Sequence, residues 1–184
     1  MTSLEGQLLI AMPGMADPNF SETVTFIFKH DANGAIGIVV NRPSDLTLGE
    51  VCRQLDFESR LGDRAEETVM AGGPVQPDRG FVLHQSDQTF ESTVDPQAPV
   101  KVTVSQDVLR AIARGDGPTP ALVALGYAGW SGGQLEAEIA ANAWLHAPVS
   151  PSVLFDTPVE GRWRAAAGLL GVDIRQVTSY AGHA

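Results

Sequence analysis

The stretch TVTFIFKHDANGAIGIVV, Thr23 to Val40, decides the fold of this chain. Val24, Phe26 and Phe28 recur at period two, the spacing that places alternate side chains on one face of a strand. Asp31-Ala32-Asn33-Gly34 follows, and Asn33-Gly34 predicts a tight turn because both residues tolerate positive φ. Ala35 to Val40 then resumes an apolar run, so the two halves are expected to pair as an antiparallel hairpin. Further strands are expected at Gln7 to Ala11, Thr68 to Ala71, Gly80 to His84, Val100 to Val104, Ala121 to Tyr127 and Ser152 to Phe155.

Helices announce themselves by their ends. Thr47 with Glu50 reads as a capping box, and Leu48, Val51, Cys52 and Leu55 follow as one apolar stripe, which places Cys52 in the core. Ser105 is expected to cap a second helix through Val108, Leu109 and Ile112, closed by Gly115. A third is expected from Gln134 to Leu145, with Leu135, Ile139, Ala143 and Trp144 on one side. Thr157-Pro158-Val159-Glu160 predicts a fourth start, with Trp163, Ala166, Ala167 and Leu170 as the buried face before Gly171. Strands and helices do not alternate as βαβ units would, so a doubly wound parallel sheet is disfavoured and a mixed α+β domain is expected.

The 184 residues suit a single domain over 1–184, with 43% hydrophobic and 18% charged residues. No apolar stretch approaches the roughly 20 residues of a membrane helix, and Leu8 to Met12 is short for a signal-peptide core. One cysteine, Cys52, can form no internal disulfide. A cytoplasmic, non-membrane protein is therefore expected. The 12 Lys and Arg against 22 Asp and Glu leave a formal charge of -10, a field that repels polyanions. Only Arg162 and Arg164 sit close together among the basic residues, so the sequence argues against direct nucleic-acid binding.

Several positions could carry chemistry. Gly129-Trp130-Ser131-Gly132-Gly133 has the G-x-S-x-G form of a nucleophile elbow, and Asp156 and His183 follow in the order of a triad. The competing reading is a glycine-rich turn with Ser131 near a helix start. Gly72-Gly73-Pro74-Val75 lacks the Gly-Lys-Ser or Gly-Lys-Thr of a phosphate loop and reads as a turn. His84, beside Arg79, is either a base or ligand, or a strand-end histidine bonded to a nearby backbone group. Asn41 and Arg42 either meet a ligand or terminate a strand, with Arg42 in a local salt bridge. Glu136 and Glu138 point to different sides of one helix. The four histidines are far apart and no Cys-x-x-Cys occurs, so neither a metal nor a cofactor is expected.

These segments together resemble the YqgE/AlgH family of bacterial proteins over nearly the whole chain. The resemblance rests on Leu8-Leu9-Ile10-Ala11-Met12-Pro13, Asp17-Pro18-Asn19-Phe20, the run Gly34 to Pro43, Gly72-Gly73-Pro74-Val75 and Arg79 to His84. Gly126-Tyr127-Ala128-Gly129-Trp130, Gly133-Gln134-Leu135-Glu136, Asn142-Ala143-Trp144 and the ending Gly182-His183-Ala184 extend it. It implies one α+β domain of coiled, branching, mainly antiparallel sheets with about four short helices packed around them. Members carry a transcriptional-regulator label through a link to alginate production. The resemblance brings no catalytic residues with it and does not reserve the Ser131 position for serine.

The expectation is an acidic cytoplasmic regulatory or binding protein that acts through a small ligand or a protein partner, linked to transcription indirectly. Asp17, Asn41, Arg42, Arg79, His84 and Glu136 are expected to line its pocket, since polar groups at strand and helix ends are placed to converge. One alternative is a small-molecule hydrolase using Ser131 with His183, or a His84 and Glu136 pair. Another is direct operator binding.

Overall fold

The computed structural model describes residues 2–177, and its sheet begins with β1 (Gln7–Ala11), β2 (Val24–Asp31) and β3 (Gly34–Val39). β1 and β2 are antiparallel with Leu8 opposite Phe26, and β2 and β3 form the expected hairpin with Phe26 opposite Ile38. The turn sits one residue early: Asp31 pairs with Gly34, so Ala32 and Asn33 form the loop. Gly34, at φ 137°, is needed for a different reason, because a Cβ there would collide with the Trp130 carbonyl on a neighbouring strand.

The chain continues through β4 (Pro43–Thr47), α1 (Leu48–Gln54), a 3-10 turn (Gly62–Glu66), β5 (Thr68–Ala71), β6 (Val75–His84), β7 (Thr93–Val94) and β8 (Lys101–Thr103). Next come α2 (Gln106–Arg114), β9 (Ala121–Ser131), α3 (Gln134–Ala140), β10 (Trp144–Pro148), α4 (Pro151–Phe155), a second 3-10 turn (Val159–Gly161) and α5 (Arg162–Gly168). Four of the five α-helices have seven residues or more. The main sheet runs β10-β1-β2-β3-β9-β6-β8-β7, and β4 and β5 branch from it. The α+β architecture of coiled, mainly antiparallel sheets is as expected.

β9 is the branch point. One edge pairs with β6; the other is shared by β3, against Ala128 to Ser131, and by β5, parallel to it at Ala124 and Leu125. Gly126 sits between the two partners at φ 82°, and a Cβ on Gly72, Gly73 or Gly126 would overlap the facing backbone. The Gly72-Gly73 pair is thus the crossing place of two backbones.

Alternation along β1 sends Leu8 and Ile10 to one core and Leu9 and Ala11 to another, all completely buried. Each such large side chain contributes about 1.5–3 kcal/mol of burial. α4 and α5 cover the first core with Val153, Leu154, Ala166 and Ala167, and α3 covers the second with Leu135. α1 and α2 cover a third, packing Val51, Cys52, Leu109 and Ile112 on Val82 and Val123.

Several expectations need correction, among them Leu170, expected on the buried face of the last helix but 43% exposed beyond the end of α5. The helix expected from Gln134 to Leu145 stops at Ala140, because Asn142 turns the chain at φ 61° and Trp144 and Leu145 become strand opposite Ala11 and Ile10. Ser152 to Phe155 is helix, not strand: Pro151 occupies the first turn with its φ already set, and the Thr157 hydroxyl donates to the Ser152 carbonyl at 3.0 Å. Thr157 therefore caps nothing, and α5 begins at Arg162 after a 3-10 turn. Thr47 and Gly115 cap as expected, the first accepting from the Glu50 amide at 3.3 Å and the second at φ 88°. Ser105 stands at its N-cap position, but its hydroxyl accepts from the Ser92 amide and donates to the Asp107 carboxylate, and it caps no helix amide.

Candidate functional site

Asp17, Asn41 and Arg42 come together around the loop between β1 and β2. The Asp17 carboxylate accepts from the Asn19 amide at 2.9 Å and shapes the turn. Asn41 accepts from Val24 N–H at 2.8 Å and donates to the Glu22 carbonyl at 2.9 Å. Arg42 donates to the carbonyls of Pro18 and Ser21, the second at 2.8 Å. Phe20 closes the loop from the other side, lying 5.9 Å from the Trp130 ring and 5.7 Å from the Trp144 ring. The expected local salt bridge of Arg42 is replaced by bonds to main-chain carbonyls.

Glu138 organises that aromatic cluster. Its Oε1 accepts from Trp130 Nε1 at 3.1 Å and Trp144 Nε1 at 2.9 Å, and its Oε2 accepts from Gln134 at 2.8 Å. The sequence places this residue on a different side of the helix from Glu136 but does not give it this role. Its signal was available, since a buried indole N–H needs an acceptor and two tryptophans flank the only helix between them.

Ser131 lies in the strand β9 itself, where a nucleophile elbow would hold it on a sharp turn. Its hydroxyl donates to Gln134 Oε1 at 3.2 Å, and the positive φ falls two residues later, on Gly133. His183, the proposed base, lies outside the described residues, as does the Gly182-His183-Ala184 ending.

Glu136 faces His30, not His84. His30 Nδ1 accepts from the Leu4 amide at 2.9 Å, so the proton resides on Nε2, which donates to Glu136 Oε1 at 3.2 Å. Glu136's own backbone N–H and then His30 hold its carboxyl below the usual range. His84 is opposite Ala121 at the far end of β9. It is completely buried, its Nε2 is 2.7 Å from the Thr103 hydroxyl, and its Nδ1 has no partner among the described residues. Burial, and secondarily the Lys101 ammonium, pushes its pKa down to about 4. The His84 and Glu136 acid/base pair is thus not assembled. The backbone partner expected for His84 is a hydroxyl instead.

Arg79 alone of the six lines a large groove. This cleft of about 460 Å³ lies between α1, α2 and β6. Val51, Leu55, Val104, Leu109 and Leu125 form its apolar wall, and Asp78 and Arg79 stand at the polar side. The Arg79 guanidinium is 5.5 Å from the Phe81 ring centre. Volume and lining match those of small-molecule sites, which run to roughly 300–1,000 Å³ and are mostly apolar. The expected convergence of six residues on one cleft is replaced by a loop clamp, a buried histidine, a His30–Glu136 pair and this groove.

A family model described as AlgH-like (DUF179) matches residues 8–175. A UPF0301 protein of Xanthomonas campestris pv. campestris is 51% identical over 183 residues, covering 100% of this chain and 97% of the relative. A UPF0301 protein of Saccharophagus degradans is 52% identical, covering 99% of this chain and 89% of the relative. The solution structure of the AlgH protein from Pseudomonas aeruginosa superposes with a TM-score of 0.80 at 50% identity, covering 100% of this chain and 99% of that one. A Corynebacterium diphtheriae protein shares the fold at a TM-score of 0.69 and 19% identity, covering 89% and 87% of the two chains.

Proposed function

We propose that this chain, which belongs to the AlgH-like family, is a cytoplasmic regulatory protein that works by binding a small, partly apolar molecule in the groove between α1, α2 and β6. The observation that carries this reading is the lining of the groove: an apolar wall of helix and strand side chains with Asp78 and Arg79 beside it. The polar groups that a catalytic reading would recruit have structural work: Ser131 with Gln134, Glu138 with two indoles, Glu136 with His30. Any link to transcription runs through this ligand or a protein partner.

Charge supports the indirect route. Arg60 lies beside α2 through the hydrogen bond its backbone N–H donates to the Ala113 carbonyl, and Arg110 stacks on Phe57 at 5.0 Å. Asp56, Glu58 and Asp63 flank Arg60 in sequence, which divides the positive field a phosphate backbone would need. No helix among the described residues is long and apolar enough to cross a membrane.

The test is thermal shift against the small-molecule fraction of a bacterial extract, with Val104→Trp filling the groove and Arg79→Ala removing its cation. A ligand at about a hundredfold excess over its Kd raises the melting temperature by roughly 5–10 °C in a protein of this size. The wild type should show such a shift, Val104→Trp none, and Arg79→Ala a reduced one. Equal shifts in the wild type and Val104→Trp, or none in any fraction, would remove the reading.

A further inference from the structure

A second cavity, of about 530 Å³, lies where β5, β9 and α4 meet the start of α5. Met70, Leu122, Leu154 and Phe155 supply apolar lining, Thr68 and Thr119 supply hydroxyls, and Arg162, a residue only 9% exposed, brings a guanidinium. Arg162 Nε donates to the Thr157 carbonyl at 3.1 Å and Nη1 to the Val40 carbonyl at 2.5 Å, with the Met70 sulfur 4.0 Å from Nη1. These contacts satisfy hydrogen bonds while leaving the charge without a counter-ion. Nη2 donates to no group among the described residues, and Arg162 lines the cavity.

The nearby carboxylates do not complete the pair. Glu67 lines the cavity but is engaged by Arg64 at 3.1 Å. Glu160 is exposed and acts on Arg162 through space without a salt bridge; the ion pairs among the described residues are His30–Glu136 and Arg64–Glu67. A cation held away from water without an opposite charge is costly, and the two N–H groups of Nη2 remain to donate to an anionic oxygen of a carboxylate or phosphate.

We propose that this cavity is an oxyanion site in which Arg162 receives the carboxylate or phosphate of a partly apolar small molecule. The site is separate from the groove that Arg79 lines, so either can fail without the other.

Octanoate, octyl phosphate and octanol are the probes, titrated into methyl-labelled protein. The two anions should shift the Leu122 and Leu154 methyls saturably and raise the melting temperature, and octanol should do neither at the same concentrations. The tighter of the two anions identifies the headgroup. Arg162→Met should weaken both by about tenfold or more, the loss expected for removing a charged hydrogen-bond donor. Val104→Trp should bind the anions as the wild type does. If Arg162→Met does not fold, Thr68→Glu on the exposed rim serves instead: a tethered carboxylate should raise the melting temperature without ligand and abolish the response to octanoate. Equal binding of octanol, undiminished binding by Arg162→Met, no binding of either anion, or an unaltered response in Thr68→Glu would each overturn the proposal.

Discussion

Arg42 and Arg162 do the same thing with their hydrogen bonds and opposite things with their charge. Both donate to main-chain carbonyls: Arg42 to Pro18 and Ser21, Arg162 to Thr157 and Val40. Arg42 is half-buried, so water and salt share its charge, whereas Arg162 is buried against a cavity. The Arg42 region is a clamp whose principal groups are engaged, from Asn41 to Glu138. The Arg162 region leaves one unit of charge unbalanced by any ion pair within the described residues. Engagement of the principal groups marks a place where the sequence builds structure, and an unbalanced buried charge marks a place where it awaits a partner.

The largest effect should come from the saturated region. Glu138→Ala leaves the Trp130 and Trp144 indoles without their shared acceptor, and urea unfolding should show a loss of about 3–4 kcal/mol. Glu138→Gln, which keeps one acceptor oxygen, should lose less. A loss below about 1 kcal/mol for Glu138→Ala would break the comparison at its better-defined end.

The next effect is the pH dependence set by His84. Its folded pKa of about 4 lies below the ordinary 6.5, so the folded state favours the neutral ring. The stability this represents is fully present above pH 6.5 and is lost as the pH falls towards 4, amounting to about 3 kcal/mol. His84→Gln should flatten the stability curve across that window. Glu136, whose folded pKa is depressed by its own backbone amide and His30, loses its contribution as the pH falls through the carboxylate range, so Glu136→Gln identifies the residual slope at lower pH.

Arg42→Ala should cost less, about 1–2 kcal/mol, because each exposed carbonyl it leaves can turn to water. Its clearer readout is cleavage by a nonspecific protease between residues 12 and 23, which should accelerate in Arg42→Ala. Arg42→Lys should not restore protection, since a single ammonium reproduces the two-carbonyl fork poorly. Unchanged cleavage would show that Phe20 and its tryptophans hold the loop alone.

The hairpin, the Thr47 and Gly115 caps and the burial of Cys52 were legible in the sequence because short-range spacing determines them. Ala143 misled because it continues the i+4 spacing of Leu135 and Ile139 and carries the helical pattern past its end, while the strand pairing of Trp144 with Ala11 comes from more than a hundred residues away. The branching at Gly126 was hidden for the same reason: three glycines from two segments meet only in the folded chain. Of the expected pocket residues, Arg79 reached a groove, but Asn41 and Arg42 were recruited by carbonyls that no spacing announces. Arg162 read as one of two neighbouring arginines, and its burial is a property of the cavity around it.

The most direct measurement is the melting temperature of the wild type, Arg42→Ala and Arg162→Met as octanoate is added, each referenced to its own ligand-free value. The expected result is a parallel rise for the wild type and Arg42→Ala and, for Arg162→Met, a rise displaced to about tenfold or more higher octanoate. A rise in Arg162→Met as large as that of the wild type would contradict the distinction between the two arginines.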